Sequence, residues 1–375
     1  MKIIYCIAGT YRAGGMERVL AIKTNFLANA GHEVAIVTTD QRGRPPFFQL
    51  NHRIKCYDLN INYEINNRKP FFHKLVHYPR KQFNHKQKLT RLLLKLKADI
   101  VVSMFDNDVS FITDIRDGSK KVLEIHFSKF KRLQYNRKGL WRLADVWRTR
   151  QDEKWVTRFH KFVTLTQEDK EYWGNLPNIA VIPNPLTFDS GESSPLQSNK
   201  VIAVGRYTYQ KGFDTLIEIW SHVCKHNQEW QLEIIGDGEM KTQLQRLISD
   251  LQLEKRVSLC PPTGNMAEKY TGASLLAMTS RYEGLPMILL EAQSFGLPIV
   301  SFLCKCGPKD VITDGVDGFL IPEGNKNLFA EKLLTLMEDE KLRQQMGLAA
   351  KKSSKRYAEE KIMAQWITLF ESLIQ

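Results

Sequence analysis

The sequence predicts an α/β protein made of two doubly wound domains, each built on a parallel sheet, that face a cleft. Three observations predict this fold class. The 375 residues exceed the usual size of a single domain. Short apolar segments alternate with segments of helical periodicity, which is typical of parallel sheets covered by helices. The alternation stops at residues 189–199, which are rich in Ser, Gly and Pro, and then starts again.

The first half opens as strand, loop and helix. Ile3–Ala8 is apolar and short enough for a buried parallel strand. Met16–Asn29 follows with apolar residues at helical spacing, and Gly31 ends that helix. The other elements predicted in this half are the strands Glu33–Thr38, Asp99–Phe105, Lys121–His126 and Lys161–Thr166 and a long basic helix, Phe72–Lys97.

The second half repeats this pattern after Pro183-Asn184-Pro185 and the linker-like stretch. Two doubly wound units joined near residues 185–200 are therefore the simplest architecture. The elements predicted here are the helices Phe213–His226 and Glu239–Leu251 and the strands Val201–Val204, Trp230–Ile235, Val257–Cys260, Leu275–Met278 and Pro298–Phe302.

Composition favours a globular protein of a reducing compartment. The start of the chain lacks the cleavage-type site of a signal peptide, and no run approaches the roughly 20 apolar residues of a membrane span. We therefore expect a cytoplasmic location. Scattered cysteines without a CxxC pair predict reduced thiols and no zinc site, at Cys6, Cys56, Cys224, Cys260, Cys304 and Cys306.

The positive charge lies in the first half. Residues 1–187 carry 33 Lys and Arg against 17 Asp and Glu, a net charge of +16, whereas the remainder carries 21 against 24, or −3. The segment Ile65–Ala98 has ten cations and no acid. Such a basic field attracts polyanions, namely nucleic acid, an anionic membrane or a phosphorylated acceptor, unless it is only a solvated face.

Glycines and cations follow the first strand of each half. Gly14 and Gly15 lie between a strand and a helix, where backbone N–H groups can approach an anion or simply form a tight turn. In the second half, Gly205 and Arg206 end the first strand and Lys211 lies just before the next helix. Open α/β sheets bind ligands at this edge, and Arg and Lys suit phosphate oxygens.

The most specific signal is the segment Glu283-Gly-Leu-Pro-Met-Ile-Leu-Leu-Glu291. Pro286 is tolerated in the first turn of a helix, so the segment predicts a helix whose N-terminal amides point at a ligand. Glu291 lies about two turns farther along, on an otherwise apolar face, where a carboxylate needs partners. Carboxylates suit sugar and ribose hydroxyls because they accept directed hydrogen bonds.

Together these motifs resemble family 4 glycosyltransferases, the retaining, nucleotide-sugar-dependent enzymes of the GT-B fold, whose two domains are Rossmann-like. The likeness covers nearly the whole chain. It is carried by Gly14-Gly15, Pro183-Asn184-Pro185, Val204-Gly205-Arg206 with Lys211-Gly212, Ile235-Gly236-Asp237-Gly238-Glu239, Glu283 through Glu291, and the late loop Asp314-Gly315-Val316-Asp317-Gly318-Phe319-Leu320.

The resemblance implies two domains with different ligands. The acceptor would bind residues 1–185, onto which a C-terminal helix of about 358–375 would pack, and the donor would bind residues 186–357. Arg206 and Lys211 would neutralise the leaving diphosphate, Glu283 would hold sugar hydroxyls, and Glu291 the ribose. The remaining implied site residues are His126 beside the sugar, Leu285, Met287 and Ile288 at phosphate and sugar, Pro262 beside the base, and the glycines Gly14, Gly15, Gly205 and Gly236.

The implied reaction keeps the configuration of the transferred sugar. Breaking the glycosidic bond builds negative charge on the departing phosphate, which cations and a helix N-terminus stabilise. No cofactor and no metal are expected. The resemblance favours a UDP-linked hexose or N-acetylhexosamine as donor and a glycan or a polyprenyl-pyrophosphate-linked acceptor, in synthesis of cell-surface polysaccharide.

Two alternatives stay open at the level of sequence. Asp106 and Asp108 follow a predicted strand as a DxD motif, which suits Mg²⁺ or Mn²⁺ in GT-A glycosyltransferases, unless an Asp instead caps a helix over Val109–Ile115. The basic half also suits a non-catalytic protein that binds nucleic acid or membrane, and aromatic residues mix with cations in Phe127–Tyr135.

A membrane surface fits the basic half better than nucleic acid, for which no recognised signature is present. The run Pro70–Lys97 mixes cations with apolar side chains as interfacial helices do, and Trp141 and Trp147 lie in a second basic stretch, Lys129–Lys161. We expect this half to rest on the anionic inner leaflet of the cytoplasmic membrane.

Overall fold

A computed structural model describes residues 1–66, 71–131, 139–186 and 191–375. The chain divides into two compact units. Unit 1 comprises Met1–Thr187 together with Glu359–Gln375, and unit 2 comprises Phe188–Ala358. In the described part of the chain, no helix has both the length and the apolar character needed to cross a bilayer.

Unit 1 contains seven parallel strands in the order β3-β2-β1-β4-β5-β6-β7. The strands are β1 Lys2–Ile7, β2 Glu33–Thr38, β3 Lys55–Asp58, β4 Ile100–Ser103, β5 Lys120–Glu124, β6 Lys161–Thr164 and β7 Ile179–Val181. The described helices are α1 Gly15–Asn29, α2 Phe71–Leu96, α3 Leu140–Val156, α4 Gln167–Trp173 and the C-terminal α12 Glu359–Ile374.

Unit 2 contains six parallel strands in the order β10-β9-β8-β11-β12-β13. They are β8 Lys200–Val204, β9 Gln231–Ile235, β10 Val257–Cys260, β11 Leu275–Met278, β12 Ile299–Phe302 and β13 Gly318–Ile321. The helices are α5 Phe213–His226, α6 Lys241–Asp250, α7 Met266–Thr271, α8 Met287–Ser294, α9 Pro308–Val311, α10 Lys326–Glu338 and α11 Glu340–Ser354.

Alternate residues of the strands of unit 1 build separate cores on the two faces of the sheet, as the period of two requires. Ile4 and Cys6 join one apolar cluster, whereas Ile3 and Tyr5 join the other. The second cluster also takes in Trp366 and Phe370 of α12, so the last helix of the chain covers a face of the first sheet. The structure thus confirms the α/β class with two parallel sheets.

Some local predictions were wrong or missing. The proposed helix over Val109–Ile115 is only a 3₁₀ turn, Ile112–Asp114, because the Asp108 side chain bonds back to Ser103 rather than capping a helix. β3 was missed because it is a largely exposed edge strand with two charged residues. β13 was missed because its first residues belong to the Gly-rich segment interpreted as a loop.

Candidate active site

The candidate residues of unit 2 follow the carboxyl ends of successive strands. β8 lies next to β11, and the chain runs from β8 to β9 on one side but from β11 to β12 on the other. Such a switch point opens a crevice beyond the strand ends, where open α/β sheets bind ligands. Arg206 follows β8, Gly236 follows β9, Pro262 follows β10 and Glu283 follows β11.

Two glycines at this edge allow backbone segments to touch. A Cβ on Gly236 would lie 1.9 Å from the carbonyl oxygen of Gly205, and one on Gly212 would lie 2.2 Å from the carbonyl oxygen of Thr279. Gly212 also has a φ of 64°, in the left-handed region that favours glycine. These contacts fix where the loops after β8 and β11 run.

We predict that Gly236→Ala weakens nucleotide binding at least tenfold. The added methyl overlaps the Gly205 carbonyl oxygen, so the loop that carries Arg206 has to move. Calorimetric titration with UDP measures the change. Gly264→Ala is the control, because a Cβ there meets no atom within 4 Å. Equal affinities for both variants and the wild type would contradict the prediction.

Lys211 and Glu283 come together although 72 residues separate them. Lys211 ends a short 3₁₀ turn, Tyr209–Lys211, and its Nζ donates to Glu283 Oε1 at 2.7 Å. The side chains are only 15% and 8% exposed, so water screens the pair weakly. The sequence predicted both residues as site residues, but their direct pairing is a result of the structure.

Arg206 differs from Lys211 in its surroundings. Its side chain is exposed, and it makes no hydrogen bond or ion pair within the part of the chain that the structure describes. Arg206 therefore has its full set of donors available, and a guanidinium can bind two phosphate oxygens at once.

The Glu283–Glu291 segment forms the predicted loop and helix. Pro286 is the N-cap and α8 begins at Met287, followed by Ile288. The first N–H groups of a helix have no acceptor within the helix and carry partial positive charge, which suits an anion. Leu285 is buried before the turn, and a Cβ on Gly307 would lie 2.3 Å from Pro286, so the next loop packs against this one.

Glu291 lies in α8 with a partner that the sequence did not predict. The hydroxyl of Tyr270 donates to Glu291 Oε2 at 2.7 Å, and the Tyr270 ring stacks on Phe295 at 5.3 Å between centroids. Glu291 is 5% exposed. The only sequence signal for this contact is the rule that a buried carboxylate needs a donor.

Gly14, Gly15 and His126 belong to unit 1. Gly14 is the extended N-cap of α1 and Gly15 is its first residue, so both lie directly beyond β1 at the N-terminus of a helix. A Cβ on Gly14 would lie 2.1 Å from a carboxylate oxygen of Glu17. A Cβ on Gly15 would meet no atom within 4 Å, so only Gly14 lies close to a neighbouring side chain.

His126 lies two residues beyond β5, and its side chain is 6% exposed. Its Nε2 is 3.1 Å from Glu124 Oε1, but the ring N–H is not aligned for a hydrogen bond. Glu124 is the last residue of β5, so the strand end presents both side chains in one place.

Asp106 and Asp108 lie beyond β4 in unit 1 and use one oxygen each in local hydrogen bonds. Asp106 Oδ1 accepts from the Asn107 side chain at 2.8 Å, and Asp108 Oδ1 from Ser103 at 2.9 Å. Burial raises the pKa of Asp106 to about 6, and burial with the neighbouring Asp106 raises that of Asp108 to about 7. In the described ranges, no group of three or more His, Cys, Asp or Glu side chains is arranged to hold a metal ion.

We predict that Asp108→Asn stabilises the protein at pH 8 but not at pH 4. Folded Asp108 keeps its proton up to about pH 7, whereas the unfolded chain loses it near 3.8. The folded state binds more protons between these values, so the stability of the wild type falls as the pH rises through this window. The difference is on the order of 4 kcal/mol.

Thermal unfolding between pH 4 and pH 8.5 measures this effect. Asp114→Asn is the control, because Asp114 is more exposed, and hydrogen bonds from Lys86 and Arg158 outweigh burial and lower its pKa. A Tm difference between Asp108→Asn and the wild type that stayed constant over the whole range would contradict the prediction.

Both units match family models of known proteins, and relatives are found over the full length of the chain. Residues 13–189 match the family model Glycosyltransferase Family 4, and residues 187–353 match Glycosyl transferases group 1. An uncharacterized glycosyltransferase of Haemophilus influenzae is 31% identical over 373 residues, covering 97% of this chain and 98% of that protein.

Two further proteins are similar over the full length. A Campylobacter jejuni enzyme, named as an alpha-1,4-N-acetyl-D-galactosaminyltransferase acting on a diNAcBac-PP-undecaprenol-linked glycan, is 28% identical and covers 98% of both chains. The crystal structure of a TarM variant from S. aureus, in complex with fondaparinux, alpha-GlcNAc-glycerol and UDP, superposes with a TM-score of 0.76 at 18% identity. It covers 98% of this chain and 99% of that one.

Proposed function

This chain belongs to the glycosyltransferases of group 1 and family 4 with the GT-B fold, and we propose that it transfers a hexose or N-acetylhexosamine from a UDP-sugar with retention of configuration. The acceptor is a glycan or a lipid-linked glycan in cell-surface polysaccharide synthesis. The Campylobacter jejuni relative, whose name includes a PP-undecaprenol-linked acceptor, supports this proposal. UDP in the TarM complex supports the choice of nucleotide.

The observation that carries the proposal is the contact between Lys211 and Glu283 at the carboxyl edge of the second sheet. A weakly screened ammonium beside the N-terminus of α8 suits the leaving diphosphate. The carboxylate that holds this ammonium accepts hydrogen bonds from sugar hydroxyls with its remaining lone pairs. In the proposed complex, the Lys211 ammonium lies at the bond that breaks, where the sugar and the phosphate meet.

The remaining roles follow from the same layout. Arg206 binds the diphosphate from the solvent side, and Glu291, held by Tyr270, accepts from the ribose hydroxyls. The glycines Gly205 and Gly236 let the backbone approach the ligand, and Pro262 lies beside the base. Negative charge on the leaving group is met by Arg206, Lys211 and the helix N-terminus, so the proposed reaction proceeds without a metal or another cofactor.

The two earlier alternatives are wrong. The chain has two parallel-sheet units of the GT-B type rather than the GT-A fold, so Asp106 and Asp108 do not form the DxD site of a GT-A enzyme. The chain is also an enzyme, because it belongs to a glycosyltransferase family, and not a basic binding protein without catalysis.

The test is calorimetric titration of the full chain with UDP and with GDP in the presence of EDTA. We expect UDP to bind without metal and GDP to bind much more weakly. Incubation with a panel of UDP-sugars, followed by NMR of the glycosylated product, then reports the anomeric configuration. Binding that requires Mn²⁺, or an inverted product, would contradict the proposal.

A membrane surface is part of the proposed function. On α3, Leu143 and Trp147 lie one turn apart and are 67% and 61% exposed. The exposed cations around them are Arg142, Arg148, Arg150 and Lys154. An apolar pair surrounded by cations is complementary to anionic lipid, because the apolar side chains enter the interface while the cations meet head groups.

The helix α2 also exposes apolar side chains, with Phe83 66% and Leu94 51% exposed. Residues 67–70 and 132–138, which include parts of the runs Pro70–Lys97 and Phe127–Tyr135, lie outside the described residues, as do the side chains of residues 71–76 and Trp141. The membrane proposal therefore rests on the described parts of α2 and α3.

Flotation with liposomes at low salt tests the membrane proposal. We expect binding to vesicles that contain phosphatidylglycerol but not to pure phosphatidylcholine, and a loss of binding in Leu143→Ser/Trp147→Ser. Leu348→Ser is the control, because this exposed leucine belongs to unit 2. Equal binding to both kinds of vesicle would overturn this part of the proposal.

A further inference from the structure

A buried ion pair lies next to His126 in unit 1. Lys23, on α1, donates to both carboxylate oxygens of Glu124, at 2.7 Å and 2.6 Å. Both side chains are only 1% exposed. Lys23 lies among Val19, Leu20 and Leu27 on the apolar face of α1, where helical periodicity predicts another aliphatic residue.

Aromatic rings enclose the lysine. Its Nζ lies 3.4 Å from the ring centroid of Trp366 on α12 and 5.4 Å from that of Tyr5 on β1. Burial lowers the pKa of Lys23 to about 8, against the attraction of Glu124. Burial alone would raise the pKa of Glu124, but Lys23 and His126 together lower it to about 2. Glu124 is therefore a carboxylate throughout the neutral pH range.

Stability is a poor explanation for this pair. Two buried charges lose their hydration, and a well-packed apolar pair of similar volume is often equally stable or more stable. The pair places a buried charge at the end of β5 and another on the apolar face of α1. The Glu124 carboxylate has one oxygen facing His126, and this position gives a more specific explanation for the ion pair.

The Glu124 oxygen that faces His126 has two neighbours. Glu124 Oε1 accepts from Lys23 and also lies 3.1 Å from His126 Nε2. A carboxylate only accepts hydrogen bonds, so the ring nitrogen that faces it carries the proton. Nδ1 is then the nitrogen with a lone pair whenever the ring is neutral. A small ring rotation would align the Nε2–H with the oxygen, which gives that buried nitrogen the partner it lacks.

We propose that Glu124, held in place by Lys23, is a positioning residue that fixes the tautomer and orientation of His126 and so presents Nδ1 as an acceptor to a substrate hydroxyl. The substrate contact rests on the proposed function. The tautomer does not rest on it, because it follows from the contact between the two side chains alone. Trp366 brings the C-terminal helix α12 into contact with this ion pair, because its ring covers the Lys23 ammonium.

The variant that tests the proposal is Lys23→Met/Glu124→Gln. It removes both charges together, so no unpaired charge is left buried and the fold is retained. Glu124→Gln alone is the second variant and keeps the shape of the carboxylate. The matched control is Lys121→Met/Asp117→Asn, which removes another buried ion pair, at the opposite end of β5.

The first readout is the tautomer of His126. Long-range ¹H–¹⁵N spectra of histidine-labelled full chain, assigned with His126→Gln, show which ring nitrogen is protonated. We expect Nε2 to carry the proton from pH 6 to pH 9 in the wild type and in the control. In both Glu124 variants we expect a mixture of tautomers. An unchanged tautomer in these variants would overturn the proposal, whatever their activity.

The second readout is the kcat and the Kd for UDP, which show whether the tautomer of His126 matters for the reaction. We expect the kcat of the double variant to fall about 10- to 100-fold, by analogy with the loss of the hydrogen-bond partner of a metal-ligating histidine. The Kd for UDP should stay within about threefold, because Glu124 does not belong to the proposed donor site. A changed tautomer with an unchanged kcat would overturn the positioning role. Failure of wild-type chain to bind UDP would instead count against the proposed function.

Discussion

Replacing Lys211 by methionine is expected to lower kcat by about 10²- to 10³-fold, the range for the loss of one preorganised group at a developing charge. The ammonium is weakly screened and pairs with Glu283, so it is in place before the donor bond breaks. Charge on the departing phosphate grows toward the transition state. The loss should therefore appear in kcat more than in the KM for the nucleotide sugar.

Steady-state rates with a UDP-sugar measure this effect. Lys326→Met is the matched control, because Lys326 also pairs with a glutamate, Glu218, but the two side chains are more than 40% exposed. Lys211→Met leaves Glu283 without its partner, so Lys211→Met/Glu283→Gln checks that the loss does not come from an unpaired carboxylate. A kcat within threefold of the wild type in Lys211→Met would contradict the assignment.

Replacing Glu291 by glutamine is expected to weaken UDP binding about 10- to 100-fold. Hydrogen bonds to a charged group contribute roughly 1.5–3 kcal/mol each, and every 1.4 kcal/mol is tenfold in affinity. The amide keeps the size of the side chain and one acceptor oxygen, so Tyr270 retains a partner. The change therefore removes charge with little effect on packing.

Calorimetry with UDP in EDTA measures the difference. Glu254→Gln is the control, because Glu254 also accepts from a hydroxyl, that of Ser249 at 3.0 Å, but on an exposed surface. Tyr270→Phe should change affinity in the same direction by a smaller amount, because it removes only the group that orients Glu291. Unchanged affinity in Glu291→Gln would exclude this residue from the donor site.

Local patterns in the sequence determined the fold class and most of the candidate site. Several predicted elements match the structure to the residue, such as the helix Phe213–His226 and the strand Val257–Cys260. Hydrophobic periodicity sets these bounds, because burial of one face fixes the repeat. The glycines and the Glu283–Glu291 segment were also readable, because turns and helix starts depend on a few neighbouring residues.

Only the tertiary structure decided which side chains meet. Lys211 reaches Glu283 across 72 residues and Lys23 reaches Glu124 across 101, distances along the chain at which no local pattern acts. The sequence marks Lys23 as a charge on an apolar helix face, but its partner depends on the order of strands β1, β4 and β5 in the sheet. This packing determines which buried charges pair, because an unpaired buried charge is unfavourable and only groups that the fold brings close can be partners.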